Sequence, residues 1–159
     1  MIKILGAISV VAASFAIGFE MTKELSERIK FLKECEQYAV YIKSELLYRS
    51  PVFEECFRGR GRIFSNASKY IEKGLSPCEA LKRAVNEARL LNSGDKEIFY
   101  AYAAGMSSEE TGGQIANVSL LITRLEERIK EAESEKSVKG RLYRSGAVLA
   151  GCGLVILLL

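Results

Sequence analysis

The charged residues of this 159-residue chain are confined to its middle, and this distribution constrains the fold more than any other feature. Residues 4–19 read ILGAISVVAASFAIGF and residues 145–159 read SGAVLAGCGLVILLL, and neither run contains a charge. The segment between them, residues 20–144, holds every charged side chain except Lys3. The sequence therefore combines two apolar ends with a strongly polar middle.

Both apolar runs predict membrane anchors. Each is apolar around its whole circumference, which a small polar domain could hardly cover if the runs were core helices instead. They span about 24 Å and about 22 Å against a hydrocarbon core of about 30 Å, so flanking residues such as Lys3 and Leu142 would extend them. A cleavable signal peptide is the alternative for the first run, but its apolar character continues past the small-residue sites to Phe19.

Basic residues flank the inner side of each run and predict the orientation. They are Lys23, Arg28, Lys30 and Lys33 after the first run, and Lys136, Lys139, Arg141 and Arg144 before the second. By the positive-inside rule, residues 20–144 form a cytoplasmic domain and both termini lie outside. We therefore expect an anchor over residues 1–19, a cytoplasmic domain over 20–144 and a second anchor over 145–159.

Hydrophobic spacing in the middle domain predicts an all-α bundle of six helices. The first helix carries an apolar heptad from Leu25 to Leu46 and reaches Tyr48, and the last carries a stripe from Ile115 to Ile129. Between them we expect helices over 52–57, 63–73 and 77–88, and a fourth that follows a break at 92–95 and ends at Gly105. The first and last bundle helices should continue into the two transmembrane helices.

The chain lacks the residue patterns of an enzyme, a metal site or a nucleic-acid-binding protein. It has no histidine, which removes the usual general base and the commonest metal ligand. Adjacent acids such as Glu54 and Glu55 point about 100° apart on a helix and do not form a catalytic pair. The four cysteines include no CxxC, no glycine pattern matches a phosphate-binding loop, and the net charge is only +3. We therefore predict no catalytic activity, cofactor, metal or nucleic-acid partner.

The sharpest surface feature is a turn in which Arg58, Arg60 and Arg62 alternate with glycines. A solvated turn is the plainer interpretation, and contact with lipid headgroups or an acidic partner is the functional one. If the first helix stands upright, this turn lies about 42 Å from Glu20, beyond the reach of headgroups. With Glu54, the three arginines then form a candidate surface for an acidic protein partner.

The order of these features resembles the stage III sporulation protein AB family of endospore-forming bacteria over the whole chain. The first apolar run leads into Gly18-Phe19-Glu20-Met21, and the second begins after Arg144. The most specific stretch resembles the family's E-(I/L)-x-Y-x-x-(T/S)-P-(L/V)-x-E. The positions that carry the resemblance are Arg28, Glu45, Tyr48, Pro51, Glu54, Gly105 and Gln114, with two additional residues between the last two.

The resemblance implies a non-enzymatic structural or adaptor component of the secretion-like channel between mother cell and forespore. Its soluble domain would be similar to the six-helix domain of the F-type platform protein of type II secretion and type IV pilus systems. The implied location is the mother-cell membrane, and the implied partners are the bilayer, the cytosolic ATPase stage III sporulation protein AA and other membrane proteins of that channel.

Two alternatives remain open at the level of sequence. A small membrane-bound helical regulator or ligand sensor would use a cavity between helices instead of a protein partner. For the motif itself, we expect a mainly structural role, in which Glu45 pairs with Arg49, Tyr48 packs on the next helix and Pro51 sets the corner, with Glu54 beyond it. A partner surface is the competing interpretation of these residues.

Overall fold

A computed structural model describes the backbone of residues 2–48, 61–107 and 111–158, and the side chains of residues 23–48, 61–106, 112–142 and 145–146. These residues form five α-helices and no strand, which confirms the all-α prediction. The helices are α1 (Ile2–Tyr48), α2 (Arg62–Ile71), α3 (Pro77–Glu87), α4 (Ser93–Ala104) and α5 (Thr111–Leu158), with a 3-10 turn over Gly105–Ser107.

The helix count differs from the predicted six. The predicted short helix over residues 52–57 lies outside the described residues, so the described part of the chain has five α-helices. As predicted, the first and last bundle helices run without a break through the backbone of both apolar runs. Among the residues whose side chains are described, no helical stretch is sufficiently long and apolar to cross a membrane. Residues 4–19 lie outside that set, as do residues 147–159 of the second run.

The chain divides into two compact units. Met1–Ile29 and Glu131–Leu159 form the terminal unit, and Lys30–Lys130 form the bundle unit. The main apolar core lies within the bundle unit, where every one of the five helices contributes buried side chains. The predicted heptad of α1 is confirmed for Leu32, Ala39 and Leu46, which are almost fully buried, while Leu25 in the terminal unit is only partly buried. On α5, Val118, Leu125 and Ile129 are buried as expected.

Local sequence signals explain the turn between α2 and α3. α2 ends at Ile71, two residues earlier than predicted, and Gly74 takes a φ of 89°, which favours glycine because it lacks a Cβ. α3 then begins at Pro77, and the Ser76 hydroxyl accepts a hydrogen bond from the Glu79 amide at 3.3 Å. This N-cap confirms the predicted start of the helix.

The predicted break at residues 92–95 is shorter than expected, because α4 begins inside it. Asn92 is the N-cap of α4, and its side-chain oxygen accepts from the Asp95 amide at 2.8 Å. The Asp95 carboxylate in turn accepts from the Asn92 amide at 3.2 Å. These reciprocal bonds form a capping box, so Ser93 to Asp95 make up the first turn of α4.

Candidate partner surface

Of the predicted partner surface, the structure describes only Arg62. Its guanidinium forms a two-pronged contact with Glu34 of α1, from Nε to Oε2 at 3.2 Å and from Nη2 to Oε1 at 3.1 Å. The same group lies 5.2 Å from the ring centroid of Phe31. Both charged side chains remain accessible, at 60% for Arg62 and 47% for Glu34. Arg58, Arg60 and Glu54 lie outside the described residues.

This contact corrects the predicted position of Arg62. We expected it in a turn at the far end of the first helix, but it is the first residue of α2 and lies beside Glu34. At 1.5 Å per residue, Glu34 is about 21 Å back along α1 from Tyr48. The ion pair also partly neutralises Arg62, so this arginine does not stand alone as a positive site.

The motif residue Tyr48 is solvent-exposed, and the helix on which it was predicted to pack, over residues 52–57, lies outside the described residues. Its exposed fraction is 86%, the highest among the exposed large apolar side chains of the described chain. Glu45 is partly buried, and its predicted partner Arg49 lies outside the described residues, as does Pro51. An exposed tyrosine at a motif position favours the partner-surface interpretation over the structural one.

Tyr48 belongs to an exposed helix face without charges, which sequence reasoning missed. We define the α1 outer face as Gln37, Val40, Tyr41, Ser44, Leu47 and Tyr48, all of which are exposed. Spacings of three, four and seven residues place them on one side of the helix, opposite the buried heptad. The sequence contains a pattern for this face. Val40 and Leu47 are seven residues apart, as are Tyr41 and Tyr48, and these pairs are separate from the heptad that forms the core.

Two other family-motif positions have structural roles in their own units. Within the terminal unit, Arg28 has a side chain only 11% exposed and pairs with Glu135 at 3.5 Å. Glu135 also accepts from Lys139 at 2.6 Å, so one carboxylate contacts two cations. Within the bundle unit, Gly105 caps the end of α4. Its α-hydrogens face Asn117, whose amide donates to the Tyr102 carbonyl at 2.9 Å.

The Gly105 position tolerates no larger residue without a shift of Asn117. A Cβ at Gly105 would lie 2.6 Å from three atoms of the Asn117 side chain, which is closer than ordinary van der Waals contact. This close approach is a physical reason for a glycine at residue 105, one of the positions that carry the family resemblance. Gln114 lies partly buried near the start of α5, within the same stretch of the chain.

A buried ion pair at the start of α4 is the strongest polar contact that the sequence did not reveal. Asp95 has 0% exposure, and its Oδ1 accepts from Arg128 Nε of α5 at 3.0 Å. Arg128 Nη2 also donates to the Asn92 side-chain oxygen at 3.2 Å. Its partners are two residues of the same capping box, and Gly94 leaves the space through which the guanidinium reaches them. The arrangement links the first turn of α4 to α5.

The described side chains offer no evident centre for chemistry. They contain no group of three or more carboxylate, thiol or imidazole ligands that could hold a metal ion. Cys35 is buried, and burial together with the nearby Glu34 carboxylate raises its thiol pKa to about 12, so the nucleophilic thiolate is disfavoured. Arg62 opposes this shift but does not cancel it.

A cavity between α4 and α5 is too small for an ordinary ligand. Its volume is about 100 Å³, whereas small-molecule sites commonly have about 300–1,000 Å³. It is lined by Ile98, Ala101, Tyr102, Asn117, Leu120, Leu121 and Arg124. This cavity therefore gives the ligand-sensor alternative no support, and the exposed surfaces are the candidate functional sites described here.

Comparison with known proteins agrees with the resemblance in the sequence. A curated relative, stage III sporulation protein AB of Bacillus subtilis (strain 168), is 23% identical over 172 residues, and the match covers 100% of both chains. A solved structure of stage III sporulation protein AB superposes with a TM-score of 0.60 at 16% identity. It covers 70% of this chain and 98% of its own, and at this identity it shows a shared fold. The family model for stage III sporulation protein AB matches residues 3–159, and the chain therefore belongs to that family.

Proposed function

We propose that this protein is a non-enzymatic adaptor of the secretion-like channel between mother cell and forespore. In this role its two apolar ends anchor it in the mother-cell membrane, and its bundle unit couples a cytosolic ATPase, stage III sporulation protein AA, to the membrane proteins of the channel. Family membership supports a part in sporulation. The assignment to the channel and the choice of the ATPase as partner rest on the family resemblance of the sequence.

The α1 outer face is the observation that carries this proposal. It presents Val40, Tyr41, Leu47 and Tyr48 to solvent, around the small residue Ser44. Tyrosine and aliphatic side chains that are exposed together on one helix face are typical of protein interfaces, where aromatic anchors contribute much of the affinity. A small residue at the centre of such a face lets a partner helix approach closely. These features fit a protein that acts through binding.

Binding of the full chain to the purified ATPase tests the proposal. The double variant Leu47→Ser with Tyr48→Ser removes two exposed apolar side chains without touching the core. Removal of two interface anchors typically costs about 2–4 kcal/mol, so we expect affinity to fall by about 30-fold or more. The matched control, Leu120→Ser with Val138→Ser, removes two exposed apolar side chains elsewhere and should bind like the unaltered chain.

Spore formation provides the second readout of the same variants. Cells that carry the Leu47→Ser, Tyr48→Ser chain should form few heat-resistant spores, while cells with the control chain should form normal numbers. If sporulation is lost but ATPase affinity is unchanged, the α1 outer face binds another component and the ATPase assignment is wrong. If neither changes, the face is an ordinary exposed surface and the adaptor proposal loses its main support.

Membrane orientation is tested separately, by cysteine labelling in intact cells. Ser93 is exposed at the start of α4, so a Ser93→Cys chain offers an accessible thiol. A membrane-impermeant maleimide should leave this thiol unmodified in intact cells and label it after permeabilisation, with the unaltered chain as the background for the native cysteines. Rapid labelling in intact cells would place the bundle unit on the opposite side of the membrane.

A further inference from the structure

One side of α2 carries a row of three basic side chains and one asparagine. Arg62, Asn66, Lys69 and Lys73 follow one another at spacings of four, three and four residues, which places them on one face of the helix and its continuing turn. We call these four residues the α2 basic stripe. Lys69 donates to Asn66 at 3.5 Å, and Arg62 pairs with Glu34 of α1, so the two lysines carry the uncompensated charge of the stripe. Among the described residues, neither lysine forms an ion pair with a carboxylate.

The positive charge continues from the stripe onto α3 through Tyr70. The ammonium of Lys73 lies 5.7 Å from the Tyr70 ring centroid, and the guanidinium of Arg83 lies 5.3 Å from it. Tyr70 donates its hydroxyl proton to Glu87 at 2.5 Å, which holds the ring in place between the two helices. Each cation interacts favourably with the ring, and the Glu87 carboxylate on the Tyr70 hydroxyl offsets part of their charge.

We propose that the α2 basic stripe is the docking surface for an acidic helix of a protein partner. The inference rests on the proposed adaptor function and deepens it by naming the chemistry that the partner presents. From Arg62 to Lys73 the stripe extends about 16 Å, which is about three helical turns. A helix with glutamates or aspartates at matching intervals of seven and four residues would place its carboxylates beside Arg62, Lys69 and Lys73.

An acidic protein fits this surface better than a lipid bilayer does. Helices that bind membrane surfaces combine a basic face with exposed apolar side chains that insert among the lipids. On α2 the apolar residues Ile63, Phe64 and Ala67 are almost fully buried in the core, so none of them is available for insertion. No large apolar side chain of α2 or α3 is exposed in the described residues. The stripe would therefore contact headgroups by charge alone.

The test compares charge reversals on and off the stripe in the full chain. Lys69→Glu with Lys73→Glu reverses the two lysines of the stripe, and Lys82→Glu with Lys130→Glu reverses two other exposed lysines as the matched control. Both pairs change the net charge equally. The probe is a fluorescent helical peptide of about 20 residues with glutamates spaced three and four apart, which is long enough to hold a helix. Its affinity is measured by anisotropy between about 50 mM and about 500 mM salt.

We expect the stripe variant to bind the acidic peptide at least tenfold more weakly at low salt and to lose most of its salt dependence. The control should retain affinity within about threefold, because distant exposed charges act only through a screened field. Equal weakening in both variants would mean that only net charge matters and would overturn the proposal. If Lys69→Glu with Lys73→Glu destabilises the fold, the milder Lys69→Gln with Lys73→Gln replaces it, with Lys82→Gln and Lys130→Gln as its control. The stripe variant should then bind about threefold more weakly than this control, and equal affinities would overturn the proposal.

Two further measurements distinguish the proposal from lipid binding and test it separately from the ATPase assignment. Binding to vesicles rich in phosphatidylglycerol that depends on Lys69 and Lys73, with peptide affinity unchanged by the substitutions, would assign the stripe to lipid and overturn it. Binding to the ATPase is measured on the same variants. If the unaltered chain does not bind the ATPase but the stripe variant still loses the acidic peptide, the proposed partner is wrong and the stripe assignment stands. If the unaltered chain and the stripe variant bind the ATPase equally tightly, the stripe assignment is wrong and the ATPase remains the proposed partner.

Discussion

Two arginine–carboxylate pairs join helices of the bundle unit, and their surroundings differ sharply. Arg128 reaches Asp95, which is fully buried and also belongs to the capping box of α4. Arg62 reaches Glu34 with similar distances, but both side chains remain about half exposed. A buried carboxylate depends on its partners because water cannot replace them, whereas an exposed pair exchanges its contact for water at little cost. The two ion pairs have similar distances, but the difference in burial implies that they contribute differently to stability.

The largest expected effect follows from removal of the buried carboxylate. Asp95→Ala deletes the acceptor for both Arg128 and the Asn92 amide. We expect the free energy of unfolding to fall by about 3 kcal/mol, toward the lower end for a broken buried pair because Arg128 is partly exposed. Urea unfolding of the full chain measures this change. Glu97→Ala, which removes an exposed acid from the same helix, should change stability by less than about 0.5 kcal/mol.

A smaller effect should follow from crowding the same pair without removing it. A Cβ at Gly94 would lie 2.5 Å from Arg128 Nη2, so Gly94→Ala should displace the end of the guanidinium. We expect a loss of about 1 kcal/mol, since the flexible side chain can move while the Asp95 contact weakens. Gly112→Ala, where the new methyl group meets open space, is the matched control and should not destabilise the chain. Equal stability of both variants would show that Arg128 contributes little.

The exposed pair should contribute less still. Glu34→Gln removes one charge from the contact with Arg62 and should lower the free energy of unfolding by about 0.5 kcal/mol at low salt. This loss should disappear at about 1 M salt, because screening weakens interactions between exposed charges. The loss caused by Asp95→Ala should persist at the same salt concentration. A Glu34→Gln effect as large as that of Asp95→Ala would contradict the comparison.

Cys35 provides a local probe of the exposed pair. Glu34 raises the thiol pKa and Arg62 lowers it, although burial is the main cause of the value of about 12. Glu34→Gln should therefore lower the pKa and speed alkylation of Cys35, and Arg62→Gln should raise the pKa and slow it. Alkylation rates from about pH 8 to 10 measure both changes. Rates that move in the same direction for the two variants would mean that packing, not charge, controls the thiol.

The raised pKa of Cys35 also has a consequence for stability. In the unfolded chain the thiol has its ordinary pKa of about 9.0, while in the folded chain its pKa is about 12, so it stays protonated over this range. Its contribution is therefore fully present below about pH 9 and is lost as the pH rises toward 12. The midpoint of urea unfolding should fall across this range, and Cys35→Ala should reduce the slope.

Sequence patterns predicted the parts of this fold that depend on neighbouring residues. The heptad of α1 identified its buried face, and Ser76 with Pro77 identified the start of α3. Asn92 and Asp95 had the spacing of a capping box, but without a contact map they indicated only a break. The partners that matter are Arg128, 33 residues from Asp95, and Glu34, 28 residues from Arg62. Such pairs are set by helix packing, which no local pattern specifies.

The candidate surfaces also combine features that local sequence predicts with features that depend on helix packing. Arg62 was predicted as a surface residue from its local arginine cluster, and it is exposed, but its ion pair and its position on α2 follow from the tertiary fold. The α1 outer face could have been found by asking which heptad pairs face away from the core. The spacing of Asn66, Lys69 and Lys73 was already present in the helix predicted over 63–73, but Arg62 joins the stripe only because α2 begins at that residue.

The double use of Asn92 has a consequence for the motions of the bundle unit. Its side-chain oxygen accepts from both the Asp95 amide and Arg128, so the first turn of α4 cannot open without also releasing α5. Helix ends ordinarily fray, and their amide protons exchange with solvent far faster than those of the core. The Asp95 amide should instead exchange slowly, on the timescale of unfolding of the whole unit. The Glu79 amide, capped only by the exposed Ser76, should exchange much faster although both occupy the same position in a helix.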